Sequence, residues 1–318
     1  MVSKLKLSLI LLALAFLHSC KKEEIIIPTV HTSQIYSTNG VATKIKFIDS
    51  NIGFILSQDG KIHRTANGGS TWTEITVSSD TGMYFLSLNQ TPTGRIFLSA
   101  YGDNKAYYSD DNGITWTSMS LFGTLGVEFS YFPTSSVGYV SYGSTLYKTT
   151  NGGSTWTYMS AYIGSFITDI FFIDANIGWM IDFDHDLYYT TNGGISWTTY
   201  YHSDDFISAL RYYNTNLYFI SGQGNIMASY DDGATISTLH YPGTTEDYVF
   251  NAIDVYGSTI FCVGKDAMVI SKDGGSSFTA HFMDDGTSLR EYILDVYLKS
   301  ATSAIVVCES GKVFSVNL

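Results

Sequence analysis

One eight-residue pattern, Ser/Thr-x-Asp/Asn-x-Gly-x-x-Trp or a close variant of it, recurs along the chain at intervals of 39 to 44 residues. The copies run Thr65 to Trp72, Ser109 to Trp116, Thr149 to Trp156, Thr190 to Trp197, Ser229 to Ile236 and Ser271 to Phe278, with Ile236 and Phe278 in the tryptophan slot. Ser315-Val316-Asn317 stands 44 residues after Ser271 and reads as a seventh copy cut off mid-motif at Leu318. Self-similarity at this period marks a repeat architecture, and about four strands fit in each unit.

Within each unit, short runs rich in Ile, Val, Tyr and Phe are separated by Gly, Asn and Asp, as in Lys44 to Ile48, Ile52 to Ser57 and Lys61 to Thr65. This is strand spacing, with no helical stretch. The motif joins the third strand to the fourth: its Asx side chain bonds its own turn, and glycine accepts the positive φ of the reversal. The closing aromatic is expected to pack between adjacent sheets, each burial contributing roughly 1.5–3 kcal/mol or more, with seven such anchors around the ring. A second signature marks the turn from the first strand to the second, in Phe47 to Gly53-Phe54, Phe132 to Gly138-Tyr139 and Phe172 to Gly178-Trp179. From motif aromatic to the next first-strand anchor is 16 residues for Trp72 to Leu88, Trp116 to Phe132, Trp156 to Phe172 and Trp197 to Tyr213, and the same step back from Phe47 reaches His31. The counts predict an all-β, seven-bladed β-propeller of four-stranded blades over residues 28–318. A strand at about Pro28 to Tyr36 closes the last blade by pairing with the strand that ends at Asn317. Proline is tolerable at a strand start.

The motif is similar to Asp-box, or BNR, repeats. With the Gly-aromatic turn, the chain after its signal resembles the photosystem II stability and assembly factor propellers and their bacterial relatives. The resemblance implies structural roles for Asn67, Trp72, Asp111, Trp116, Asn151, Trp156, Asn192, Trp197, Asp231, Asp273, Phe278 and Asn317. The residues agree, because a position that alternates between amide and carboxylate within one chain is bonding its turn rather than transferring protons. Asp boxes are shared by sialidases, xyloglucan hydrolases, sorting-receptor ectodomains and non-enzymatic assembly factors, so the motif speaks for fold and not for activity.

Residues 1–19 resemble a bacterial lipoprotein signal, with Lys4 and Lys6 ahead of an apolar run from Leu7 to Leu17 and a Leu17-His18-Ser19-Cys20 cleavage site. The run is too short to span a bilayer. An ordinary signal peptide or an uncleaved anchor is the competing reading, since His18 stands where a small residue is usual. The resemblance implies that Cys20 carries the lipid, that residues 20–27 form a tether, and that the destination is the outer membrane of a diderm bacterium, facing periplasm or medium. Cys262 and Cys308 are then the remaining cysteines; a disulfide is possible, but their places in two adjacent blades lead us to expect free buried thiols. The precursor carries a formal charge of −12, and losing Lys4 and Lys6 leaves 15 basic against 29 acidic residues, or −14. Nucleic acid is an improbable partner for such a chain.

Binding in a propeller normally uses the face that carries the loops between blades and the turns between second and third strands. Candidates there are Asp182, Asp184, His185, Asp186, Tyr201, His202, Asp204, Asp205, Tyr248 and Arg290. The Asp182 to Asp186 cluster admits a calcium reading, but it lacks the turn glycine and later bidentate carboxylate of a calcium loop, and a solvated hairpin tip is favoured. We therefore expect no metal, no cofactor and no catalytic residue. Aromatic rings beside carboxylates suit sugar stacking or a protein hot spot, with simple exposed tyrosines as the bland alternative. Sialidases gather three arginines on a substrate carboxylate, whereas this chain has four in all, Arg64, Arg95, Arg211 and Arg290, of which only Arg211 and Arg290 can approach that face. The favoured function is a monomeric, lipid-anchored scaffold docking an envelope protein or a glycan, membrane-bound through its lipid alone. A glycoside hydrolase of the sialidase type is the alternative.

Overall fold

The computed structural model describes residues 29–78, 84–101, 105–119, 129–159, 165–184, 186–201, 207–221, 223–231, 233, 235–240, 249–265, 268–284 and 291–318. The signal, Cys20 and the tether lie outside the described residues. Strand β1 (Thr29–Ser37) precedes blade 1, which is β2 (Ala42–Phe47), β3 (Gly53–Ser57), β4 (Lys61–Thr65) and β5 (Thr73–Thr76). Blade 2 is β6 (Tyr84–Gln90), β7 (Ile96–Tyr101), β8 (Ala106–Ser109) and β9 (Thr117–Met119). Blade 3 is β10 (Phe129–Tyr131), β11 (Gly138–Tyr142), β12 (Thr145–Thr149) and β13 (Thr157–Met159). Blade 4 is β14 (Ile167–Phe172), β15 (Gly178–Asp182), β16 (Leu187–Thr190) and β17 (Thr198–Tyr201). Blade 5 is β18 (Ile207–Tyr213), β19 (Asn216–Ser221), β20 (Ile226–Ser229) and β21 (Ser237–His240). Blade 6 is β22 (Val249–Tyr256), β23 (Thr259–Lys265), β24 (Met268–Ser271) and β25 (Thr279–Asp284). Blade 7 takes β26 (Ile293–Ser300), β27 (Ser303–Cys308) and β28 (Lys312–Asn317) from the end of the chain, and β1 from its start. The protein is a seven-bladed, all-β propeller.

Ring closure is the terminal strand exchange expected from the sequence: β1 runs antiparallel to β28, with His31 opposite Asn317. The count did not reach a second pairing, in which Thr29, Val30 and His31 run parallel to Phe282, Met283 and Asp284 of β25. Strand β1 thus joins blades 6 and 7 into one eight-stranded sheet and covers two edges that would otherwise invite wrong pairing. Second strands such as β3 and β15 are buried at every position, because a neighbouring blade lies on each face.

Both repeated glycine signatures exist to let blades approach. A Cβ on Gly178 would sit 2.5 Å from the ring of Phe172, its cross-strand partner, and Gly53 and Gly138 stand in the same relation to Phe47 and Phe132. The ring lies across the glycine and stacks on the preceding blade: Phe172 on Tyr139 at 3.8 Å between centroids, Phe132 on Phe97 and Phe47 on Tyr297 at 4.3 Å. The motif tryptophan then meets that ring edge-on, as Trp197 does Phe172 at 5.8 Å. In the motif turns, Cβ atoms on Gly113 and Gly69 would lie 2.4 Å from Phe54 and 2.6 Å from Ile305, side chains of the preceding blade's second strand.

Each turn closes through the same bonds. In blade 1 the Thr65 hydroxyl donates to Asn67 Oδ1 at 2.9 Å and accepts from Gly69 N at 2.9 Å, while Asn67 Oδ1 accepts from Thr71 N at 2.9 Å. Asn67 Nδ2 donates to Thr71 Oγ1 at 2.8 Å; where the residue is Asp111, the Thr115 hydroxyl turns round and donates to Oδ2 at 2.6 Å. A rotatable hydroxyl therefore accommodates amide and carboxylate alike. These bonds hold the carboxyls of Asp111 and Asp273 down to about 2 and lower that of Asp231, chiefly through the hydroxyl partners for the first two and the Thr235 N–H for the third.

Two expectations need correction. Position 316, not 315, occupies the hydroxyl slot of blade 7: Ala304 pairs with Val316 just as Gly53 pairs with Thr65 and Ile260 with Ser271. Ser315 instead donates to the Ser33 carbonyl at 3.4 Å, and exposed Asn317 is a strand residue opposite Ser303 and His31, so it forms no motif turn. The interface between blades 6 and 7 consequently has no motif aromatic and is filled by Val30, Phe261, Phe314 and aliphatic neighbours, leaving six anchors where seven were expected. Cys262 and Cys308 are free and buried in two different interfaces, and burial pushes the Cys262 thiol up.

Gly178→Ala is expected to displace Phe172 from its stack and to cost about 1–3 kcal/mol in urea unfolding. Replacing Asp111, Asp231 and Asp273 together by Asn should leave stability at pH 7 little changed. Because the folded carboxyls titrate below the unfolded ones, their contribution is present above about pH 4 and lost as pH falls toward about 2. The triple variant should flatten that acid limb of a stability-against-pH curve.

Candidate functional site

The loop face divides between what the structure describes and what it does not. His185, His202, Asp204, Asp205, Tyr248 and Arg290 lie outside the described residues, as does the Tyr201 side chain. Asp184 is exposed and Asp186 half-buried. Asp182 is not a solvated tip residue: it is 1% exposed, and its carboxylate accepts from Asp186 N at 3.0 Å and from the Tyr188 hydroxyl at 2.9 Å. The reason is local, since the β15–β16 turn leaves an N–H inside that only a side chain can satisfy. Among the described residues no group of three or more His, Cys, Asp or Glu is placed to hold a metal ion.

Next to Asp184 stands an aromatic cluster that the sequence reading passed over. Phe183 and Phe166 are 62% and 60% exposed, and Tyr142 is 37% exposed. Phe183 N donates to the Phe166 carbonyl at 2.7 Å within blade 4, and Ile167 N donates to the Gly143 carbonyl of blade 3 at 2.9 Å, so backbone bonds fix the platform from which the rings project. Phe166 and Phe183 were hard to find because they sit in turn segments outside any alternating pattern.

The ring encloses a central channel with a cavity of about 500 Å³. Register places its inward residues in levels. Nearer the loop face are Lys44, Ser87, Phe129, Asp169, Ala209, Ala252 and Asp295, and two residues deeper are Lys46, Asn89, Tyr131, Phe171, Arg211, Asp254 and Tyr297. Several of these bind one blade to the next. Arg211 Nε donates to Asp254 Oδ1 at 2.8 Å, Leu298 N to Asp254 Oδ2 at 2.7 Å and Ile45 N to Asp295 Oδ2 at 2.9 Å, a chain that links blades 5, 6, 7 and 1 across the closure. Asp254 raises the Arg211 pKa and keeps its guanidinium charged. Burial pushes Lys46 down to about 8, assisted by Arg211 and opposed by Asp254, Asp295 and Asp169; burial likewise raises Asp169, against Lys44 and Lys46. A sequence signal for this channel existed, since Lys46, Arg211 and Asp254 are charged residues at equivalent first-strand positions of three repeats.

No protein-family model matches the chain, and no curated protein matches it. Solved structures do. The chain is similar to YCF48 from Cyanidioschyzon merolae, at 15% identity and a TM-score of 0.71 over 90% of this chain and 98% of that one. It is also similar to a catalytically inactive virginiamycin B lyase from Staphylococcus aureus with quinupristin, at 14% identity and a TM-score of 0.74, covering 90% and 99% of the two chains. The GH74 enzyme of Niastella koreensis matches at 15% identity and a TM-score of 0.73 over 89% of this chain, which spans 53% of that enzyme. At such identities the likeness is one of fold.

Arg211→Met leaves Asp254 with its two backbone donors but without its counter-charge. The expected cost is about 1–3 kcal/mol, below that of a fully buried pair because Arg211 keeps 32% of its side chain accessible. Thermal unfolding of the variant checks this.

Proposed function

We propose that this propeller is a non-enzymatic docking scaffold, held at an envelope membrane by a lipid on Cys20, which engages a partner protein through its loop face. The observation that carries the reading is the rigid cluster of Phe166, Phe183 and Tyr142, exposed beside Asp184. Large aromatic rings held in water on a fixed backbone are the kind of surface from which binding hot spots are built. One similar structure supports the mode, YCF48 bound to a D1 peptide.

The glycoside hydrolase reading draws on the GH74 likeness and needs convergent cations or a carboxylate pair on the same face. Arg64 bonds the Asn112 carbonyl at 2.8 Å, Arg95 pairs with Asp110 at 2.6 Å, and Arg211 is held in the channel by Asp254. Asp182 is committed to its own turn. This disposition favours docking over hydrolysis.

The test is cross-linking in intact envelopes followed by recovery of the tagged protein. A stoichiometric protein partner should be lost with Phe166→Ala and Phe183→Ala together, while unfolding shifts by no more than about 0.5 kcal/mol, as for surface substitutions. Retention of the partner by that variant, recovery of glycan alone, or hydrolysis of aryl glycosides abolished by Asp184→Asn would each count against the reading.

A further inference from the structure

The channel chemistry goes beyond anything the docking face requires. Asp254 and Asp295 have both carboxylate oxygens occupied, by Arg211 and backbone N–H groups of β22, β26 and β2. Asp169 has one oxygen taken by Ile170 N at 2.8 Å. On the cationic side the account does not close. Neither Lys44 nor Lys46 makes a hydrogen bond or a direct ion pair among the described residues, and Arg211 uses Nε on Asp254 while its terminal nitrogens carry four further N–H groups. The channel wall therefore carries unspent cationic donors on Lys44, Lys46 and Arg211. Charge on the wall is otherwise even, with Lys44, Lys46 and Arg211 set against Asp169, Asp254 and Asp295.

Opposite blade 1 the wall is aromatic. Phe129 and Tyr131 of blade 3 and Phe171 of blade 4 all line the cavity, with Tyr131 and Phe171 at 5.1 Å between centroids. A volume of about 500 Å³ lies within the usual range for small-molecule sites.

We propose that the central channel binds a small organic carboxylate with a flat apolar body, its carboxylate held by Lys46 and Arg211 and its body lying against Phe129, Tyr131 and Phe171. The carboxylate supplies acceptor oxygens for those cationic donors, and the planar body matches the rings that a bare inorganic anion would leave uncovered. The depressed Lys46 ammonium fits the same site, because a bound anion restores the charge that burial opposes. The inference does not rest on the docking reading, and either stands if the other fails.

Benzoate is the probe, with benzamide and inorganic phosphate as the neutral and non-aromatic comparisons, by isothermal calorimetry on the full propeller. We expect saturable one-to-one binding of benzoate, weakened about ten- to hundred-fold by Lys46→Met, and little or no binding of the other two. A folded Lys46→Met protein that binds benzoate as well as the parent overturns the proposal. So does phosphate or benzamide binding as tightly as benzoate, or no benzoate binding at all. Should the variant not fold, the unaltered protein still decides the matter. Saturating benzoate should slow reductive methylation of Lys46, read by peptide mass spectrometry, and unchanged labelling would refute the site.

Discussion

Everything in this molecule depends on blades approaching closely enough to share rings. The Phe172 and Tyr139 stack at 3.8 Å is possible because Gly178 has no Cβ to lift the ring off its strand. Glycine in a strand interior ordinarily weakens it. Here the loss is offset by an aromatic laid over the gap, a cross-strand device known to compensate sheet glycines. Blades 6 and 7 lack the glycine and use smaller pairs, Val255 with Ile260 and Leu298 with Ala304, whereas blade 5, also without it, sets Tyr212 opposite Leu217 and stacks that ring on Phe171 of blade 4. The ring is therefore built from two kinds of interface, aromatic from blade 7 round to blade 5 and mainly aliphatic from blade 5 to blade 7.

Closure is the second constraint, and it is solved unevenly. The seam that joins the two termini lies beside the aliphatic interface, where no motif aromatic stands. Strand β1 compensates by pairing with both β28 and β25. On the channel side the Asp254 and Asp295 carboxylates bond backbone N–H groups of the next blade in turn. Side chains thus add charged bonds between blades from blade 5 round to blade 1, on either side of the seam, and these make the channel polar there. Carboxylates committed in this way are poor candidates for acid-base work, whereas the lysines facing them remain uncommitted.

Charged residues in the first strands illustrate how far a linear reading reaches. Lys46, Arg211 and Asp254 fall at equivalent places in three repeats, so their common level was present in the spacing. The approach of Lys46 to the other two was not, because blade 1 meets blades 5 and 6 only across a closed ring. Asp182 shows the converse: an acidic cluster reads as solvated, yet the turn between β15 and β16 folds this one carboxylate inward to satisfy Asp186 N and Tyr188.

The order of strands, the number of blades, the terminal strand exchange and the amide-carboxylate tolerance of the turns were determined by the sequence itself. Each rests on local chemistry or on a count: turn bonds reach four residues, and a strand period fixes which residue faces which. Tertiary structure alone decided the one-residue shift that puts Val316 in a hydroxyl slot, the parallel pairing of β1 with β25, the exposure of Phe166 and Phe183, and the composition of the channel. Those features arise from groups tens to hundreds of residues apart, and their energies depend on desolvation and distance, which no spacing along the chain encodes.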